Sequence, residues 1–90
     1  MRTHQLKSWP KFFEPLQQGR RTHELRRNDR DFRVGDLLEL HEYLHETRTF
    51  PGRSCTMEVT SITSASEPCA VSATALNPDY CILSVRLVAR

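Results

Sequence analysis

The sequence predicts a small, β-rich α+β domain folded as a partly closed barrel. Two stretches, residues 53–62 and 79–90, alternate apolar and polar side chains with the period of a strand. Helical spacing is confined to one short segment around Phe12, Phe13 and Leu16. No repeat or linker divides the chain, so residues 1–90 are expected to form a single domain. A chain of this length buries roughly 60–65% of its extended surface, enough for one modest core.

Taken in order, Thr3–Ser8 reads as a first strand with Leu6 as its clearest apolar position. Ser8 is placed to cap a helix whose first turn contains Pro10, where the missing N–H is harmless. Pro15 removes a bond from a helix interior, so a turn followed by a helix restarting near Glu14 is expected, ending with Gly19 as the C′ residue. Residues 21–27 form a charged strand candidate, with Thr22, Glu24 and Arg26 on one face and Arg21, His23, Leu25 and Arg27 on the other. Asn28, Asp29, Arg30 and Asp31 read as a loop, and Val34-Gly35-Asp36 as a further turn into residues 37–44. Residues 47–52 are the expected hairpin loop. In the strand over 53–62, Cys55, Met57 and Val59 point inward. Residues 64–78, small and polar with two prolines, read as a loop. The last strand presents Cys81, Leu83, Val85, Leu87 and Ala89 on its inner face.

Composition narrows the class. Hydrophobic content of 38% is that of a globular chain. No apolar run approaches the ~20 residues of a membrane span, and no apolar leader opens the chain, so a cytoplasmic protein with no membrane association is expected. Cys55, Cys69 and Cys81 are odd in number and widely spaced, which suits buried thiols better than a disulfide framework. The net charge of +2 is too mild to name a partner. The kind of base is more informative: Lys7 and Lys11 are the only lysines among thirteen basic residues. An arginine fork suits phosphate, carboxylate and base edges, although arginine preference also follows from a GC-rich genome.

Residues 19–32 are the most unusual stretch. They carry Arg20, Arg21, Arg26, Arg27 and Arg30 with Glu24, Asp29 and Asp31, and only Leu25 and Phe32 could serve as core. Such a stretch cannot repay its ordering by burial alone, so it is a solvated loop or its charges have a purpose. A second pattern, His41-Glu42-Tyr43-Leu44-His45, matches H-E-x-x-H. Zinc chemistry requires it to be a helix, where both histidines share a face; on a strand they lie roughly 13 Å apart. No third ligand is marked, and no metal or cofactor is expected.

The opening His4, Leu6, Lys7, Trp9 and Pro10 lead to Gly19, Arg21, Thr22, Glu24, Leu25, Arg26, Asn28, Asp29, Arg30, Asp31, Phe32, Val34, Gly35 and Asp36. Together they resemble the pattern of short phage and bacterial ASCH-like domains of uncharacterised function. Gly19-x-Arg21-x-x-Glu24-x-Arg26 is similar to the G-x-K-x-x-E-x-R signature of ASCH domains in the PUA-like superfamily. Residues 80–85 resemble the family's last strand. The resemblance implies a barrel of five or six strands with one or two short helices, and makes 37–44 a strand. It further implies that the signature lines a cleft proposed to bind RNA or a nucleobase. Some relatives hydrolyse acylated cytidine nucleosides with a Lys and a Thr of this signature and a distant Glu, and a nuclease is reported in another branch. Here Arg21 and Glu24 occupy those Lys and Thr positions. Arginine stays protonated and cannot activate a nucleophile by releasing a proton, so that mechanism does not carry over. Thr22 is nearby but displaced from that role on a strand, and Glu58 and Glu67 are possible acids that no motif marks; another mechanism would use Glu24 or Lys7 as proton carrier.

Glu24 and Arg26 are either an exposed ion pair contributing about 0–1 kcal/mol, or the polar wall of a pocket. Trp9 and Phe12 either pack the helix or stack a base. The expected function is an RNA- or nucleotide-binding module whose site draws on Lys7, Trp9, Arg20, Arg21, Thr22, Glu24, Arg26, Arg27, Asn28 and Arg30. The alternatives are a small hydrolase of a modified nucleoside or RNA, and a phage module binding a host protein. Recognition is favoured over catalysis.

Overall fold

The computed structural model of the chain describes residues 1–70 and 74–90. The strands are β1 (Thr3–Ser8), β2 (His23–Arg27), β3 (Leu37–Glu42), β4 (Ser54–Ser64) and β5 (Tyr80–Ala89), with the helix α1 (Pro10–Gln17) after β1. They form one sheet in the order β1-β3-β4-β5-β2, which curls into a half-barrel. The β1–β3 pair is parallel and the other three are antiparallel. The chain thus has the expected partly closed α+β architecture, with five strands and one helix among the described residues. The expected 64–78 loop overlaps residues 71–73, which lie outside them.

Strand alternation builds the interior. β3 contributes Leu38 and Leu40, β4 Cys55, Met57 and Val59, and β5 Cys81, Leu83 and Val85, all buried. Along β1 the inward positions are His4, Leu6 and Ser8. Helix α1 sets Phe13 and Leu16, three residues apart and both fully buried, onto this core. Register irregularities interrupt the β4–β5 ladder between Thr56 and Met57 and between Val59 and Ser61, the kind of defect that bends a strand and increases twist. The inner face of β5 holds as far as Leu87, which is half-buried, whereas Ala89 is exposed.

Three local expectations need correction. Ser8 ends β1 with its side chain buried, and the residue at the helix N-cap is Trp9, with no side-chain cap bond. Helix α1 also runs unbroken through Pro15. An interior proline costs about 3 kcal/mol, whereas burying Phe13 and Leu16 returns about 1.5–3 kcal/mol each, so packing outweighs the defect. The third correction concerns Leu25, which is 57% exposed while Glu24 is 4% exposed. In the β2–β5 register Glu24 lies opposite inward Leu83, and Leu25 opposite outward Ile82. The strong apolar alternation of β5 sets the faces, and β2 must follow it.

Gly19 does close the helix as expected. With φ at 75° it lets its own N–H reach the Leu16 carbonyl and the Arg20 N–H reach the Pro15 carbonyl, a Schellman arrangement. The chain reverses there and enters β2.

Leu83→Ala is expected to lower unfolding free energy by about 2–5 kcal/mol through the cavity it leaves. Leu25→Ala should stay within about 0.5 kcal/mol. Urea unfolding followed by circular dichroism checks both, and equal losses would contradict the assignment of faces.

Candidate functional site

β1 and β2 are the outer strands of the sheet, so the half-barrel leaves a seam between them. The carbonyls of Arg2 and Ser8 accept from the N–H groups of Leu37 in β3 and of Tyr43 just after it. Because carbonyl direction alternates along a strand, those of Gln5 and Lys7 face the seam. Arginines of the 19–32 stretch meet them: Arg26 donates to the Lys7 carbonyl at 2.8 Å and Arg30 to the Gln5 carbonyl at 3.1 Å. Arg2 donates back across the seam to the carbonyls of Arg30 and Asp31. Side-chain guanidinium groups here stand where a sixth strand's amides would.

Beside this seam, where α1 turns away from β1, lies a pocket of about 300 Å³ lined by Lys7, Ser8, Trp9, Phe12, Arg21, Glu24, Leu25 and Arg26. Its polar centre is the buried Glu24 carboxylate. Arg26 Nε donates to Glu24 Oε2 at 2.7 Å. Arg21 approaches the other oxygen, with Nε 3.8 Å from Oε1, within ion-pair range and beyond a hydrogen bond. The Arg21 guanidinium lies over the Phe12 ring, 4.5 Å from its centroid. Two buried polar atoms in this lining, Ser8 Oγ and Arg21 Nε, have no hydrogen-bond partner among the described residues. Lys7 stands at the rim with Nζ 4.4 Å from the Tyr43 ring, and Trp9 is half-exposed.

Of the residues expected from sequence, Lys7, Trp9, Arg21, Glu24 and Arg26 therefore converge on one concavity. The others do not. Arg20 is exposed and donates to Gln18 at 2.7 Å. Thr22 is exposed and uses its carbonyl to accept from the Val85 N–H. Arg27 lies on the outer face of the sheet, 5.7 Å from the Tyr80 ring. Asn28 donates its backbone N–H to the Asp79 carbonyl and borders a different, polar hollow. Arg30 is occupied at the seam. Ser8 and Leu25 also line the pocket without having been expected there; extending the alternation His4, Leu6, Ser8 would have placed Ser8 inward.

The H-E-x-x-H segment is a strand followed by a turn. His41 lies on β3 next to Glu39, while His45 stacks on Trp9 with centroids 4.2 Å apart. Among the described residues no cluster of three or more His, Cys, Asp or Glu side chains is arranged to hold a metal ion, and no helix is long and apolar enough to cross a membrane.

Two further buried carboxylates hold the frame of the site. Burial alone would raise the Asp36 pKa. Hydrogen bonds from His4 and from the amides of Arg2 and Arg33, with the His4 charge, outweigh it and lower the value from 3.8 to about 2. His4 Nε2 lies 2.9 Å from Asp36 Oδ2, tying β1 to the start of β3. Glu42 is held below the ordinary range by its two hydrogen bonds from Arg53, at 2.9 and 2.8 Å, against burial. Arg53 also reaches Glu14, fastening α1 to β3. Burial pushes the Cys55 thiol up to about 11, with the Glu24 charge adding to it.

A family model described as "Domain of unknown function (DUF3850)" matches residues 3–85. The chain is also similar to the "Uncharacterized 12.9 kDa protein in GpA 3'region" of Escherichia phage P2. The two are 33% identical over 64 residues, a stretch covering 71% of this chain and 57% of the phage protein.

A carboxylate whose folded pKa is depressed stabilises the fold above its unfolded value and loses that contribution as protons bind the native state. The Asp36 contribution should therefore vanish as pH falls from about 4 to about 2. Urea midpoints across that window should drop more steeply for the wild type than for Asp36→Asn. Arg26→Ala, which strips buried Glu24 of its shortest bond and opens the seam, should cost about 1–3 kcal/mol. Hydrogen exchange along β1 and β2 should accelerate in that variant, and unchanged exchange would contradict the seam's role.

Proposed function

The chain belongs to the DUF3850 family, and we propose that it is an RNA- or nucleotide-binding module that takes a base into the pocket between β1, α1 and β2. The observation that carries this reading is the pair of unpartnered buried polar atoms, Ser8 Oγ and Arg21 Nε, beside a buried carboxylate in an aromatic-walled hollow. Buried polar groups without partners are costly, and a ligand that satisfies them gains what the empty pocket lacks. The donors and acceptors present suit a planar heterocycle. Glu24 Oε1 can accept from a ring or amino N–H, while Ser8 and Arg21 can donate to a ring nitrogen or carbonyl. Trp9, stacked on His45 by one face, offers the other for stacking, and Lys7 supplies a charge at the rim for phosphate. A volume of about 300 Å³ lies at the small end of ligand pockets, fitting a base more readily than a larger cofactor.

The Gly19-x-Arg21-x-x-Glu24-x-Arg26 signature supports kinship with ASCH domains, since its three polar members line the pocket. Recognition suits these residues better than hydrolysis. A guanidinium is a fixed donor and no proton carrier, and Glu24 Oε2 is held by Arg26. On this reading the 90 residues act as one cytoplasmic recognition module.

Fluorescence anisotropy with a short, labelled single-stranded RNA tests the proposal. Saturable binding should weaken as salt rises from about 50 to 200 mM, with a log–log slope of about −0.7 per phosphate neutralised. Arg21→Gln should weaken binding about tenfold, the value of one charge-assisted hydrogen bond. Absence of saturable binding at low salt, or unchanged affinity in the Arg21→Gln protein, overturns the reading.

A further inference from the structure

A second hollow adjoins the base pocket. Of about 490 Å³, it is bordered by Pro10, Lys11, Leu44, His45, Glu46 and Thr47, and it shares Trp9 and Phe12 with the first as a common wall. We infer that it receives the neighbouring base of a single-stranded nucleic acid, so that the ligand is a two-nucleotide step threaded past Trp9 rather than a free nucleotide. This rests on the base-binding reading of the first pocket.

The two hollows differ in chemistry as such a ligand requires. The first gathers Ser8, Arg21 and Glu24, groups able to read hydrogen bonds. The second has a largely apolar and aromatic lining, suited to a base held by stacking and tolerant of its identity. The wall between them is held in place. The Trp9 ring is stacked on His45 at 4.2 Å and 24°, which fixes its orientation while leaving the side chain half-exposed. Charge follows the same division. The chain's only lysines, Lys7 and Lys11, border one hollow each, on either side of Trp9. A phosphate joining two bases seated in the two hollows would pass between these ammonium groups. Glu46 borders the apolar hollow too and would oppose a phosphate placed on its side, which favours the linking phosphate on the Trp9 side.

Binding of a nucleoside monophosphate, of a dinucleotide, and of the same dinucleotide with the second base removed separates the two claims. The dinucleotide should bind about tenfold tighter than the other two ligands, the gain expected from one stacked base. Leu44→Ser and Lys11→Ala should each erase most of that gain, with the monophosphate arm reporting the first pocket by itself. Equal affinity for dinucleotide and monophosphate overturns the two-base inference and leaves the first pocket standing. An equal loss in every arm for both variants also overturns it. Failure of all three ligands to bind overturns both readings.

Discussion

The fold depends on closing a sheet that has too few strands to close itself. The order β1-β3-β4-β5-β2 leaves β1 and β2 as facing edges, and an open edge presents unpaired carbonyls to solvent or to another chain. Arg26 and Arg30 bond the seam-facing carbonyls of Lys7 and Gln5, and Arg2 bonds back to the loop after β2. A planar guanidinium can satisfy a carboxylate and a backbone carbonyl at once, and Arg26 does so with Glu24 and Lys7. A lysine in its place would offer a single point of attachment. Part of the arginine preference in this chain thus has a structural cause.

The same economy shapes the interior. Glu24, Asp36 and Glu42 are buried, and each is answered by named partners: Arg26, His4 with two backbone amides, and Arg53. Each pair joins elements distant in sequence or fixes a strand edge. In a domain with so modest a core, these polar ties specify how strand and helix meet. The pocket lies beside one of them, so the groups that hold the seam also shape its polar wall. Arg21 is the exception. It packs over Phe12, and its Nε, in ion-pair range of Glu24, has no hydrogen-bond partner among the described residues.

Much of the fold was legible in the sequence because its strands alternate cleanly. β1 falls at its expected bounds, and the inward faces of β4 and β5 follow the pattern of Cys55, Met57 and Val59 and of Cys81, Leu83 and Val85. Gly19 was readable as a helix terminator from its position after the apolar spacing of Phe13 and Leu16. What misled was local propensity read without its neighbours. Ser8 resembles a cap and is instead a buried strand residue; Pro15 resembles a break and is carried through by packing. Leu25 resembles core in a stretch that offers little else, yet it faces solvent.

Sequence alone determined the strand periods, the helical spacing around Phe13 and Leu16 and the clustering of arginine with acid in residues 19–32, because these are properties of neighbours along the chain. Only the tertiary structure decided which face of β2 is inside. That choice belongs to β5, whose apolar alternation places Leu83 opposite Glu24 and so buries a carboxylate where a leucine was available one residue away. It also decided the division of labour among the arginines, with Arg26 and Arg30 at the seam, Arg27 on the outer face and Arg21 in the pocket. Identical side chains acquire different roles through the partners that folding brings within reach, and for Arg30 that partner, Gln5, lies 25 residues away along the chain.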